Sequence, residues 1–163
     1  MKKLLVTAFL LISFMTRAQE LPTIQASGYS FQIGCKFTIK LKAVDSKNFN
    51  YSIIAFEQFN KTVDTFNHDG LFDKMGNDST ITFYFCYGTL GDTEAEREKN
   101  MQVLLIMKNY TKIALKYSSE IQRKQDGEFE PTSNDGAFPG AISMEMWPYA
   151  IYTIGLRDFK RLK

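Results

Sequence analysis

Hydrophobic and polar positions alternate without a break along Phe31–Ala43. Phe31, Ile33, Cys35, Phe37, Ile39, Leu41 and Ala43 fall on one parity, and Gln32, Gly34, Lys36, Thr38, Lys40 and Lys42 on the other. Successive side chains of a strand point to opposite faces, so the pattern predicts a strand with one dry and one wet face. A slip of one residue would drive three lysines into the core, which pins the register. The run exceeds the usual strand length of about 5–6 residues. Gly34 lies inside it, where a bulge or bend would turn a corner.

The rest of the chain supplies partners for that dry face. Tyr51–Phe56 reads as a second strand, apolar on both parities at Ile53 and Ile54. The break at Asp45–Asn48 is short enough for a hairpin between the two. Residues 57–77 are ambiguous. Phe56, Phe59, Val63 and Phe66 recur at helical spacing, while Thr62, Val63 and Thr65 are β-branched. A short helix or an irregular strand is expected there, with Leu71 and Phe72 returning to the core. Ser79–Tyr87 alternates cleanly. Thr93 followed by Glu96 in the polar segment 88–100 has the form of a capping box, so one helical turn is expected. Met101–Met107 is apolar on both parities, as in a central strand. Ile113–Gln122 alternates, 129–140 is loop-like with Pro131, Gly136, Pro139 and Gly140, and Ala150–Leu156 is the last strand.

Seven or eight strands at short spacing with little helix predict an all-β fold. The expectation is one antiparallel β-sandwich, immunoglobulin-like in architecture, with a small closed β-barrel as the alternative. Tyr84 two places before Cys86, and Cys35 51 positions upstream, are similar to the immunoglobulin pattern. The strand at Cys35 lacks the buried Trp of that family, and Cys86 has the wrong parity, so the likeness is one of architecture.

Residues 1–18 have the form of a secretory signal peptide. Lys2 and Lys3 open it, Leu4–Met15 is almost wholly apolar, and Ala18 offers a cleavage site before Gln19. The apolar run is shorter than the ~20 residues a spanning helix needs. Export to the periplasm or the extracellular space of a bacterium is expected, leaving residues 19–163 as one domain. Loss of Lys2, Lys3 and Arg17 takes the formal charge from +2 to −1. The mature chain therefore lacks the basic excess of a nucleic-acid-binding protein.

An even pair of cysteines in an oxidising compartment makes Cys35–Cys86 a candidate disulfide. Parity opposes it. Cys35 shares its face with Phe37 and Ile39, whereas Cys86 stands opposite the run Ile81, Phe83, Phe85. A bond would need a bulge or a strand buried on both faces.

Catalytic patterns are sparse. His68, the only histidine, stands among Asp64, Asp69 and Asp73. A calcium loop with Gly70 as its turn glycine would place Thr65 and Gly76 where it needs acids, so a turn rich in Asn, Asp and Gly is the better reading. There is no Gly-x-Ser-x-Gly, and any Cys86 nucleophile would depend on His68. Glu57 and Glu145 are available to a carboxylate-based hydrolase, but solvated surface is the expected role of both. Four Asn-x-Ser/Thr stretches, at Asn50, Asn60, Asn77 and Asn109, are expected to be unused in a bacterium.

Two surfaces remain as candidates for interaction. Lys36, Lys40 and Lys42 form a basic stripe, expected to serve solubility and to discourage edge pairing, with an anionic partner as the alternative. Phe138, Met146, Trp147 and Tyr149 lie in a Pro/Gly-rich segment that either plugs one end of the fold or binds a partner. The sequence thus predicts an exported, non-enzymatic binding module with an unidentified protein or glycan partner at the envelope and no cofactor or metal. The alternatives are a barrel carrying a small apolar ligand and, less favoured, the hydrolase.

Overall fold

The structure is a computed structural model that describes residues 23–162. The predicted signal peptide and the Gln19 cleavage point lie outside the described residues. The chain is all-β. In order it forms β1 (Gly28–Gln32), β2 (Cys35–Ala43), β3 (Asn48–Gln58), β4 (Val63–Asp64), β5 (Thr80–Thr89), α1 (Glu94–Lys99), β6 (Gln102–Asn109), β7 (Leu115–Gln122), β8 (Glu130–Thr132), β9 (Ile142–Trp147) and β10 (Thr153–Arg161). All ten strands belong to one sheet, ordered β8-β7-β10-β3-β2-β5-β6-β9, with β1 also on β10 and β4 on β5. Every pairing between named strands is antiparallel except the two-residue β4–β5 ladder.

The alternating run splits at Gly34. Its φ of 87° is in the left-handed region that favours glycine. Its N–H donates to the Phe85 carbonyl at 2.8 Å, and its carbonyl accepts the Phe59 N–H at 2.7 Å. The chain turns a corner there without losing parity, and Phe31, Cys35, Phe37 and Ile39 are all buried on one face. The β2–β3 hairpin forms as expected. The double apolar Ile53-Ile54 marks a bulge, because Ile39 pairs with Ile53 and Thr38 with Ala55.

The sheet curls into a half-barrel, so that one face becomes the interior. Phe37 and Ile39 of β2, Phe83 and Phe85 of β5, Leu105 and Met107 of β6, Leu115 of β7 and Phe159 of β10 join one fully buried cluster. Phe31, Phe37 and Phe83 stack in series, with ring centroids 3.6 and 5.0 Å apart. Burying one such phenyl is worth about 2–3 kcal/mol. The curl brings together strands that are far apart in sheet order: the Tyr117 hydroxyl on β7 lies 3.5 Å from the Met107 sulfur on β6.

Two strands share one edge of β10. Residues 153–157 pair with β1, and Phe159 and Lys160 pair with β3. At the switch, Asp158 adopts a φ of 58° and its N–H donates to the Ser27 carbonyl at 3.0 Å. Tyr51 fills the point where β1 and β3 part. Its hydroxyl accepts the Tyr29 N–H at 2.8 Å and donates to the Leu156 carbonyl at 2.6 Å.

A second, smaller core lies on the outer face. Tyr84, Cys86, Leu104 and Ile106 are buried there beneath Phe59, Val63, Leu71 and Phe72. The ambiguous segment has no helix: Glu57 and Gln58 end β3, and the rest is a cover whose only strand is the two-residue β4, with Leu71 and Phe72 returning to a core. Its short strand is held by Thr65, whose N–H and hydroxyl both donate to the Thr89 carbonyl. The capping box is present: the Thr93 hydroxyl accepts the Glu96 N–H, and the Glu96 carboxylate accepts the Thr93 N–H.

Candidate functional site

The two cysteines stand on opposite faces of the sheet, and no disulfide is seen. Cys35 pairs with Phe85 in the β2–β5 ladder and joins the interior, whereas Cys86 joins the outer core. Both are buried free thiols. The candidate Cys35–Cys86 bond is thus corrected by the double burial of β5, which accommodates Cys86 without a partner. Burial pushes both thiols up to about 12, with the neighbouring Cys86 adding to the rise at Cys35. A thiol in that state is a poor nucleophile.

Of the acids around His68, Asp64 is held by backbone donors. The Asp64 carboxylate accepts the N–H groups of Phe66 and Asn67, each at 2.8 Å, which holds it below the usual carboxylate range. The carbonyl of Asp73 receives Lys108 and Tyr110. Among the described residues, no three His, Cys, Asp or Glu side chains are placed to share a metal ion. His68 Nε2 is buried without a hydrogen-bond partner. Of the four Asn-x-Ser/Thr sites, Asn109 is fully buried. Its side-chain amide donates to the Ile113 and Ala137 carbonyls and accepts the Thr111 N–H. That amide ties the β6–β7 turn to the loop after β8.

The aromatic segment divides. Trp147 is 5% exposed and part of the interior, while Phe138, Met146 and Tyr149 stay on the surface. Residues 142–147, part of the same Pro/Gly-rich segment, form β9, with Met144 and Trp147 reaching opposite faces of β6. The strands β8 and β9 are the two ends of the sheet order, and side chains join them. Trp147 Nε1 donates to Thr132 Oγ1 at 3.1 Å. The Asn134 amide donates to the Tyr117 carbonyl and Ser119 Oγ, each at 3.0 Å. Glu145 Oε1 accepts the Asp135 N–H at 2.8 Å. Glu145 shares the inward parity of Trp147 and is half-buried, and burial raises its carboxyl pKa despite that hydrogen bond. Tyr149 carries the Arg123 guanidinium 4.2 Å above its ring.

The lysine stripe divides as well. Lys36 is half-buried, 2.7 Å from Glu57 and 5.4 Å from the Tyr84 ring centre. Glu57 raises its pKa. Lys40 and Lys42 are exposed. Register places more cations on the same outer face. Lys116 of β7 pairs directly with Lys160 of β10, which in turn pairs with Asn48 of β3. Asn50 pairs with Lys42 and Ser52 with Lys40. Lys116 and Lys160 were missed in the sequence because 44 residues separate them, and only the β7–β10 ladder makes them neighbours. Among the described residues, none of these four lysines has an acid within ion-pair distance.

Elsewhere, a groove of about 490 Å³ runs along Gly28, Ser30, Glu120, Phe129, Gly155 and Arg157. Its charges are matched internally, since Arg157 bonds both Glu120 and Asp158. No helix among the described residues is long and apolar enough to cross a membrane. No protein-family model, curated protein or solved structure matches the chain.

Proposed function

We propose that the chain is an exported, non-enzymatic binding module that engages a macromolecule through the outer surface of its sheet. The observation that carries this reading is the division of the outer face. Over β5 and β6 it is sealed by residues 59–72. Over β7, β10, β3 and β2 it is left open, and among the described residues Lys40, Lys42, Lys116 and Lys160 have no acidic partner there. A protein that needed only a soluble surface would intersperse charges of both signs there.

We read the architecture as a barrel interrupted at the β8–β9 seam, in preference to the two-sheet sandwich. The apolar-carrier alternative is weakened because aromatic side chains already occupy the interior of the curled sheet. A carrier needs a cavity of a few hundred cubic ångströms. The hydrolase alternative retains one observation in its favour, the raised pKa of Glu145 close to Asp135. Against it, Glu145 is tied to the backbone of the seam loop and closes the sheet.

Native mass spectrometry of the exported protein, with a co-sedimentation assay on washed bacterial envelope, tests the proposal. The expected result is a mass beginning at Gln19 with no small ligand retained, and sedimentation with the envelope that salt reverses. A full-length mass, a retained apolar molecule or no envelope association would each overturn it.

A further inference from the structure

We infer that the open outer face binds an anionic polysaccharide, with Lys116, Lys160, Lys42 and Lys40 meeting its acidic groups; this rests on the binding-module reading and names the partner's chemistry. Lys116 and Lys160 are direct cross-strand partners. Like charges in that relation destabilise a sheet. Among the described residues, neither has an acid within ion-pair distance. The Asp45 carboxylate accepts the Lys47 N–H, the Asn48 N–H and the Asn48 amide, and Asp158 is paired with Arg157. The Glu57 and Glu120 carboxylates are bound to Lys36 and Arg157. A repulsive pair left without a counter-charge fits a surface that receives its anions from a ligand.

The form of the ligand follows from what the face offers. Strands lie about 4.8 Å apart, so the cations of β7, β10 and β2 span about 15 Å across the strands. Between and beside them stand Asn48, Asn50 and Ser118, half-buried neutral groups that suit sugar hydroxyls. The ladders on both sides of β10 and β2 occupy the backbone, so an extended peptide finds few main-chain partners on this face. The face is the outside of a curled sheet. A planar bilayer would touch a convex surface along one line, whereas a polymer chain follows the curve. Charge complementarity and these side-chain donors favour a carboxylated or sulfated polysaccharide over an acidic peptide or a lipid surface.

Binding of residues 19–163 to immobilised polygalacturonate and dextran sulfate tests the inference, with neutral dextran as blank and polyglutamate and phosphatidylglycerol vesicles as rival arms. Both anionic polysaccharides are expected to bind at low salt and to release as salt rises. The Lys116→Gln/Lys160→Gln variant should bind at least about tenfold more weakly, with a shallower dependence on salt. Lys124→Gln, in the turn after β7, should bind as the parent does. The double variant should melt no lower than the parent, since it removes a like-charge pair, so loss of binding is not loss of fold. Binding to polyglutamate or vesicles without either polysaccharide would overturn the assignment and leave the binding-module reading intact. Binding to nothing, or equal binding by the double variant and Lys124→Gln, would overturn the role of this face.

Discussion

Trp147 Nε1 donates to Thr132 Oγ1 across 3.1 Å, a side-chain bond between the first and last strands of the sheet order. Backbone ladders hold every other neighbouring pair on that path. At this position the fold depends on two side chains 15 residues apart.

Thr132→Val should therefore destabilise the protein by about 1–2 kcal/mol, the cost of leaving the indole N–H without a partner. Trp147→Phe should cost about the same or more, and the double variant less than the sum, because the two act through one bond. Denaturant unfolding of the four proteins measures the coupling. Strict additivity would show that the seam is held by other contacts.

Tyr51→Phe removes a hydroxyl that satisfies two backbone groups, the Tyr29 N–H and the Leu156 carbonyl. The expected loss is about 2–3 kcal/mol, far above that of an ordinary surface hydroxyl. Amide exchange at Tyr29 should accelerate together with the drop in stability. Unchanged protection at Tyr29 would contradict the role of the phenol.

Both cysteines should be silent towards thiol reagents in the folded protein and should titrate as two thiols in denaturant, since their pKa values lie near 12. Intact mass should not change on reduction. A gain of about two mass units on reduction would instead require Cys35 and Cys86 to share a face.

The raised pKa of Glu145 makes a signed prediction. The folded state holds this proton more tightly than the unfolded chain does, so stability attributable to Glu145 is greatest in acid. It declines as pH rises through the ordinary value of 4.5 and levels off above the raised folded value. Glu145→Gln should keep an acceptor for the Asp135 N–H and raise the melting temperature at neutral pH, with a flatter profile across the acid range. A melting temperature lowered equally at all pH values would assign Glu145 a purely structural hydrogen bond.

Local alternation was sufficient to define the dry faces of β2 and β7, the inward face of β5, the hairpin joining β2 to β3 and the capped turn of α1. These depend on side-chain period and on groups three or four residues apart, which a sequence displays directly. The divided burial of Cys35 and Cys86 was also legible as parity. Tertiary structure decided the rest, because it turned on pairings between distant segments. Gly34 became the corner between β1 and β2 because β10 accepted one and β5 the other. Residues 59–72 became a cover because β5 and β6 present a second apolar face that no local pattern in the cover announces. Glu145 faces inward because β9 pairs with β6, and Lys116 meets Lys160 only in the β7–β10 ladder. Strand order is long-range information. The sequence carries it only as the requirement that each apolar face find another, and several arrangements meet that requirement until the sheet curls and its ends meet at Trp147 and Thr132.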